Sequence, residues 1–180
     1  MSTDKIWHFV CFETTLGSEQ FIKRWEEFTH SENSNADVTL QQSEKNGVFS
    51  YIAQHRRPVG ELRFIFEKSA KSSRIPQVEI KAKQAGGYSL LKAGKTKVTN
   101  ADESKIFAFI TDARADMSVY GQLPPYCKLN IYEAYYENCQ YAYILELFVG
   151  DSHAAELMER LKQYNVTEIG IYKECVLQTA

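Results

Sequence analysis

Apolar and polar residues alternate over much of the chain with a period of two, broken in a few places by a period near 3.6. Lys5 to Thr14 carries apolar side chains on both faces, Trp7, Phe9 and Cys11 against Ile6, His8, Val10 and Phe12. That pattern predicts an interior strand. Phe21, Ile22, Trp25 and Phe28 then form one stripe behind Ser18 and Glu19, which suit a helix N-terminus. A polar loop spans Ser31 to Asp37. Val38 to Gln42 and Val48 to His55 read as hairpin arms around Lys45-Asn46-Gly47, because Asn-Gly accepts positive φ at both positions.

Leu62 to Glu67 reads as a further strand, followed by a basic, Ser-rich loop from Ser69 to Arg74. After Pro76, Val78, Ile80 and Ala82 alternate with Glu79, Lys81 and Lys83, which predicts a half-buried strand that Gly86-Gly87 ends or bulges. Asn100 and Glu103 have capping-box spacing, and Ile106, Phe107, Ile110 and Ala113 continue as a helical stripe. A helix is favoured here over a strand through Ile106–Ile110. Past Leu123-Pro124-Pro125, Cys127–Tyr136 and Tyr141–Val149 predict a second hairpin. A helix capped at Asp151 or Ser152 carries Ala154, Leu157, Met158, Leu161 and Tyr164 on one face, and Thr167–Leu177 is the last strand.

The predicted order is β-α-β-β-β-β-α-β-β-α-β. It implies an α+β fold with largely antiparallel sheets and about three helices. From Val78 onward the order resembles a ferredoxin-like unit, and the whole resembles tandem ferredoxin-like or dimeric α/β-barrel proteins in element order, an α+β-barrel-like arrangement. The 180 residues fit a single compact unit, with two pseudo-related halves expected at about 1–75 and 76–180.

Composition adds limits. The chain is 44% apolar and 13% aromatic, so a packed core is affordable without staples. No apolar run approaches the ~20 residues that span a bilayer, and Met1–Lys5 has no secretory pattern. A cytoplasmic protein with no membrane partner is expected. Cys11, Cys127, Cys139 and Cys175 form no C-x-x-C pair and read as reduced thiols. No metal is expected from the histidine spacing, no glycine-rich phosphate loop is present, and no cofactor is expected.

The net charge of −2 hides a split. Gln54 to Lys97 holds eleven Lys and Arg against three Asp and Glu, while the remainder holds ten against twenty. A face carrying His55, Arg56, Arg57, Lys81 and Lys83 would recognise an acidic protein or an anionic small molecule. A second copy of this chain, pairing basic and acidic faces in a homodimer, is the other expected partner. Nucleic acid is disfavoured by the pI of 6.1. Tyr132 and Tyr136 belong to a tyrosine-rich hairpin suited to stacking. Glu146 interrupts the apolar run Tyr143–Phe148, and Glu13 follows Phe12. A carboxylate removed from water suits acid–base work, so both are catalytic candidates if the protein is an enzyme. The leading expectation is a binding or regulatory protein with a basic face. The alternative is a small enzyme or ligand-binding α+β barrel with an aromatic-lined pocket and a carboxylate acid or base.

Overall fold

A computed structural model describes residues 5–31, 38–45, 47–58, 80–94, 102–135, 137 and 139–175. Eight antiparallel strands close into a barrel: β1 (Lys5–Thr14), β2 (Val38–Lys45), β3 (Tyr51–Pro58), β4 (Ile80–Lys92), β5 (Glu103–Ile110), β6 (Lys128–Ala134), β7 (Tyr143–Gly150) and β8 (Glu168–Glu174). Their order around the wall is β1-β3-β2-β8-β5-β7-β6-β4. Helices α1 (Ser18–Ser31) and α2 (Asp151–Leu161) and a 3₁₀ turn (Met117–Gln122) complete the described elements. Among the described residues no helix is long and apolar enough to cross a membrane.

The barrel consists of two four-stranded arcs, β4-β1-β3-β2 and β8-β5-β7-β6. They join where β2 pairs with β8 and β4 pairs with β6. Closure leaves no open edge among the described strands. It also produces three apolar layers. Outside one arc, Phe21 and Trp25 of α1 cover Leu40, Tyr51 and Ala53. Outside the other, Leu157, Met158 and Leu161 of α2 cover Ile106, Ala108, Leu145 and Leu147. Inside, Phe9, Phe107, Phe109, Tyr88, Tyr132, Ile144 and Tyr172 fill the lumen. Eight strands enclose a lumen that side chains can fill or that can hold one small ligand. Each large side chain buried in these layers contributes roughly 1.5–3 kcal/mol.

The segment expected as a helix is strand β5. Its residues Ser104–Ile110 are all buried. Phe107 and Phe109 enter the lumen while Ile106, Ala108 and Ile110 meet the α2 layer. Both faces are apolar, so the alternation that marks a strand is lost. The ladders to β7 and β8 supply backbone partners on both sides, which outweighs any cap signal. The expected hairpins are present, with Val38 opposite His55 and Lys128 opposite Phe148. Gly86-Gly87 does not end β4, which runs on to Lys92. A Cβ at Gly86 would stand 2.9 Å from the Tyr88 ring and 3.0 Å from the Cys139 sulfur. The glycine lets that ring occupy the lumen. The expected strand Leu62–Glu67 and loop Ser69–Arg74 lie outside the described residues.

Helix α2 starts on Gly150, not on a side-chain cap. Its entry is fixed instead by the Asp151 amide, which donates to the Asp102 carbonyl at 3.0 Å. The Asp151 carboxylate accepts from Lys173 Nζ at 2.6 Å and Ser104 Oγ at 2.6 Å, tying α2 to β8 and β5. The Lys173 bond, then the Ser104 bond, holds the carboxyl below the usual carboxylate range. A depressed carboxylate contributes stability above its unfolded pKa of about 4 and loses it as pH falls through the folded value. The group is half exposed, so Asp151→Asn should cost less than about 1 kcal/mol at neutral pH. Urea titrations should show the wild-type advantage shrinking below about pH 4.

Candidate functional site

Strands β2, β3, β5, β6 and β7 each place a polar side chain in an otherwise apolar lumen. Phe107 pairs with Glu146 across the β5–β7 ladder and Lys105 pairs with Phe148, so Lys105 and Glu146 face inward as diagonal neighbours. Lys105 Nζ donates to Glu146 Oε2 at 3.2 Å. The two side chains are only 5% and 3% exposed. Asn130 Nδ2 and the Tyr132 hydroxyl both donate to Glu146 Oε1 at 3.0 Å. Three donors from two strands, β5 and β6, therefore converge on one carboxylate. The Gly94 amide holds the Asn130 oxygen at 2.8 Å.

Lys105 is equally enclosed. Glu174, at the end of β8, accepts from Nζ at 3.5 Å. The Phe148 ring centroid lies 5.2 Å from the ammonium, within cation–π range. With the Gln41 amide turned so that its nitrogen donates to the Ile52 carbonyl at 2.7 Å, its oxygen accepts from Lys105 at 3.2 Å. Thr39, Gln41 and Gln54 lie within 3.0 Å of one another beside this pair.

An ion pair taken out of water costs several kcal/mol per charge unless its hydrogen bonds are complete. Here they are, and the phenol contributes as a permanent donor. Burial, then the adjacent Glu146 carboxylate, pushes the Tyr132 hydroxyl far above its ordinary range. Aromatic rings frame the pair. Tyr132 meets Phe9 at 4.9 Å and Trp7 at 5.9 Å, both edge to face. Trp7 is half-buried, and the exposed Arg56 stands over its ring at 5.9 Å. The other end of the lumen is closed by Phe49, Phe109 and Tyr141, packed within 6.5 Å of one another.

The expected site residues separate into two groups. Glu146 and Tyr132 come together in the lumen. Glu13 does not join them: it is exposed on the barrel wall and pairs with Lys83 at 3.1 Å. Removed from the lumen and open to water, Glu13 lacks the burial that made it a candidate. Glu13→Gln should change stability by less than about 0.5 kcal/mol in urea titrations, since exposed ion pairs contribute little. Lys81 is exposed on the same strand as Lys83. His55 lies on the outer face against Trp25, with ring centroids 5.6 Å apart. The Arg57 side chain and Tyr136 lie outside the described residues, as do Lys68, Lys71, Arg74, Lys95 and Lys97. Lys105, Asn130, Gln41 and Gln54 were missed. Their signal is a single polar residue at an inward position of a strand that is otherwise apolar on that face.

Among the described residues, no three His, Cys, Asp or Glu side chains converge to hold a metal ion. The four cysteines are free thiols. Burial raises the Cys127 and Cys175 thiols to about 11 and that of Cys11 further, so none of these three is a thiolate at neutral pH.

No family model and no curated protein matches the sequence. Solved structures do match the fold. A mutant chlorite dismutase from Candidatus Nitrospira defluvii in complex with cyanide superposes with a TM-score of 0.58 at 9% identity, covering 98% of this chain and 92% of that one. A protein provisionally assigned as a chlorite dismutase gives 0.60 at 10% identity, covering 97% and 96%. An anthrone oxidase-like protein gives 0.56 at 13% identity, covering 96% and 92%. The chain shares their α+β barrel architecture over nearly its whole length. Identities this low establish the fold alone.

Proposed function

We propose that the protein is a small-ligand-binding α+β barrel of the enzyme type, with its site in the polar end of the lumen. The observation that carries this reading is the buried Lys105–Glu146 pair, completed by Asn130 and Tyr132 and framed by aromatic rings. Buried charges of this kind are costly to keep, and such clusters concentrate at functional sites. The fold neighbours favour the same reading, because enzyme names recur among them. In this reading Lys105, Asn130 and Tyr132 offer donors to a ligand oxygen. Glu146 exchanges a proton with the ligand once one of its three donors turns to it. Trp7 stacks on the ligand at the rim.

A purely regulatory protein acting through a basic face draws less support. Of the cations proposed for it, Lys83 is paired with Glu13 and Arg56 is seated on Trp7. A homodimer stays part of the proposal, to be checked by sedimentation. So does an origin in two pseudo-related halves, which the repeated arc orders β4-β1-β3-β2 and β8-β5-β7-β6 favour.

A thermal-shift screen of small polar aromatic molecules tests the reading. Hits should stabilise the wild type and lose that effect in Trp7→Ala, a rim substitution that spares the ion pair. Hits that stabilise both proteins equally would place binding elsewhere.

A further inference from the structure

The Lys105 ammonium has three oxygen partners, and they are not equivalent. Glu146 is held by Asn130 and Tyr132 as well as by Lys105, and its side chain is 3% exposed. Gln41 is fully buried within its strand. Glu174 differs on three counts. Its contact is the longest of the three, 3.5 Å, its side chain is 30% exposed, and it stands at the last residue of β8. One ammonium thus serves two carboxylates, the second reaching in from the barrel rim.

We infer that Glu174 occupies the place of a ligand carboxylate, and that the ligand is a small aromatic monocarboxylate which displaces it from Lys105. This rests on the reading of the lumen as a ligand site. Exchange of one carboxylate for another keeps the charge around Lys105 constant, so the buried ammonium is never left unpaired. Glu174 moves outward into water, which its partial exposure already allows. The ring of such a ligand would lie towards Trp7, whose edge contact with Tyr132 connects the rim to the ion pair. Arg56, exposed and 5.9 Å from the Trp7 ring, adds a positive charge there and attracts an anion.

The probes are benzoate and its neutral isostere benzamide, titrated by NMR into the wild type, Glu174→Ala and the double variant Lys105→Met/Glu146→Gln. An internal competitor lowers apparent affinity by the fraction of time it holds the site. For a partly exposed pair that is about two- to five-fold. Benzoate should therefore bind Glu174→Ala about two- to five-fold more tightly than the wild type. It should lose saturable binding in the double variant, and benzamide should bind more weakly than benzoate throughout. Circular dichroism checks that the double variant folds. Equal or weaker benzoate binding to Glu174→Ala, or benzamide binding as tightly as benzoate, would overturn the inference. If benzamide still perturbs the amides of Lys105 and Glu146, the barrel site stands and only its carboxylate preference falls. If neither probe perturbs them, both fall.

Discussion

Lys105→Ala should destabilise the protein by about 3–5 kcal/mol, because it leaves the Glu146 carboxylate buried without its counter-charge. The expected size follows from the surroundings. Glu146 is only 3% exposed, so water replaces the lost counter-charge poorly. Asn130 and Tyr132 would still donate to it, but neither neutralises it. Marginal domains have only about 5–15 kcal/mol in total, so the loss would move the urea midpoint substantially. The double variant Lys105→Met/Glu146→Gln should recover most of the loss. Met fills the lysine stem's volume, and Gln keeps an acceptor for Asn130 and Tyr132 without a charge. If the single and double variants were equally unstable, the cost would lie in lost packing instead of an orphaned charge.

Phe107→Ala should cost about 3–5 kcal/mol, the range for emptying a buried aromatic site. Phe107 is fully buried in the lumen, edge-on to Tyr172 with centroids 5.5 Å apart. Its ladder partners are Glu146 on one side and Gly170 on the other. The ring therefore stands beside the ion pair and separates it from the apolar end of the barrel. Gly170 offers no side chain to collapse into the gap. The cavity would have carboxylate oxygens in one wall, which gives water polar partners there. Urea denaturation reads the stability. A crystal structure of the variant should show water beside Glu146, and a dry, collapsed site would contradict this picture of the lumen.

Much of this fold is legible in the sequence because local pattern and final environment agree. Strand β1 and the start of α1 match the expected boundaries, since Trp7, Phe9 and Cys11 face one environment and Phe21 and Trp25 another. The second hairpin and α2 are legible for the same reason. Strand β5 is not. Phe107 and Phe109 face the lumen and Ile106 and Ala108 face α2, so burial on two sides erases the period of two. Barrel closure is also illegible, because β2 pairs with β8 and β4 with β6 across long sequence separations. Local pattern carries no record of such partners.

The site divides along the same line. Glu146 and Tyr132 stand out by local contrast, a charge and a phenol within apolar runs. Lys105 lies in β5, whose residues pattern like a helix, so its inward direction shows only once the β5–β7 ladder is formed. Gln41, Gln54 and Asn130 acquire meaning only when five strands bring them together. Glu13 stands out equally well in sequence, yet it lies next to the last residue of β1 and is open to water. Position along the strand, not residue type, decides which carboxylate is buried.

The most direct measurement is a map of backbone amide shifts as a library of small aromatic ligands is titrated into labelled protein. Saturable changes should cluster on Trp7, Lys105, Asn130, Tyr132 and Glu146, five residues of four different strands that meet only inside the barrel. Changes confined to the exposed surface around Glu13, Lys81 and Lys83, with the lumen amides unmoved, would contradict a ligand site in the barrel.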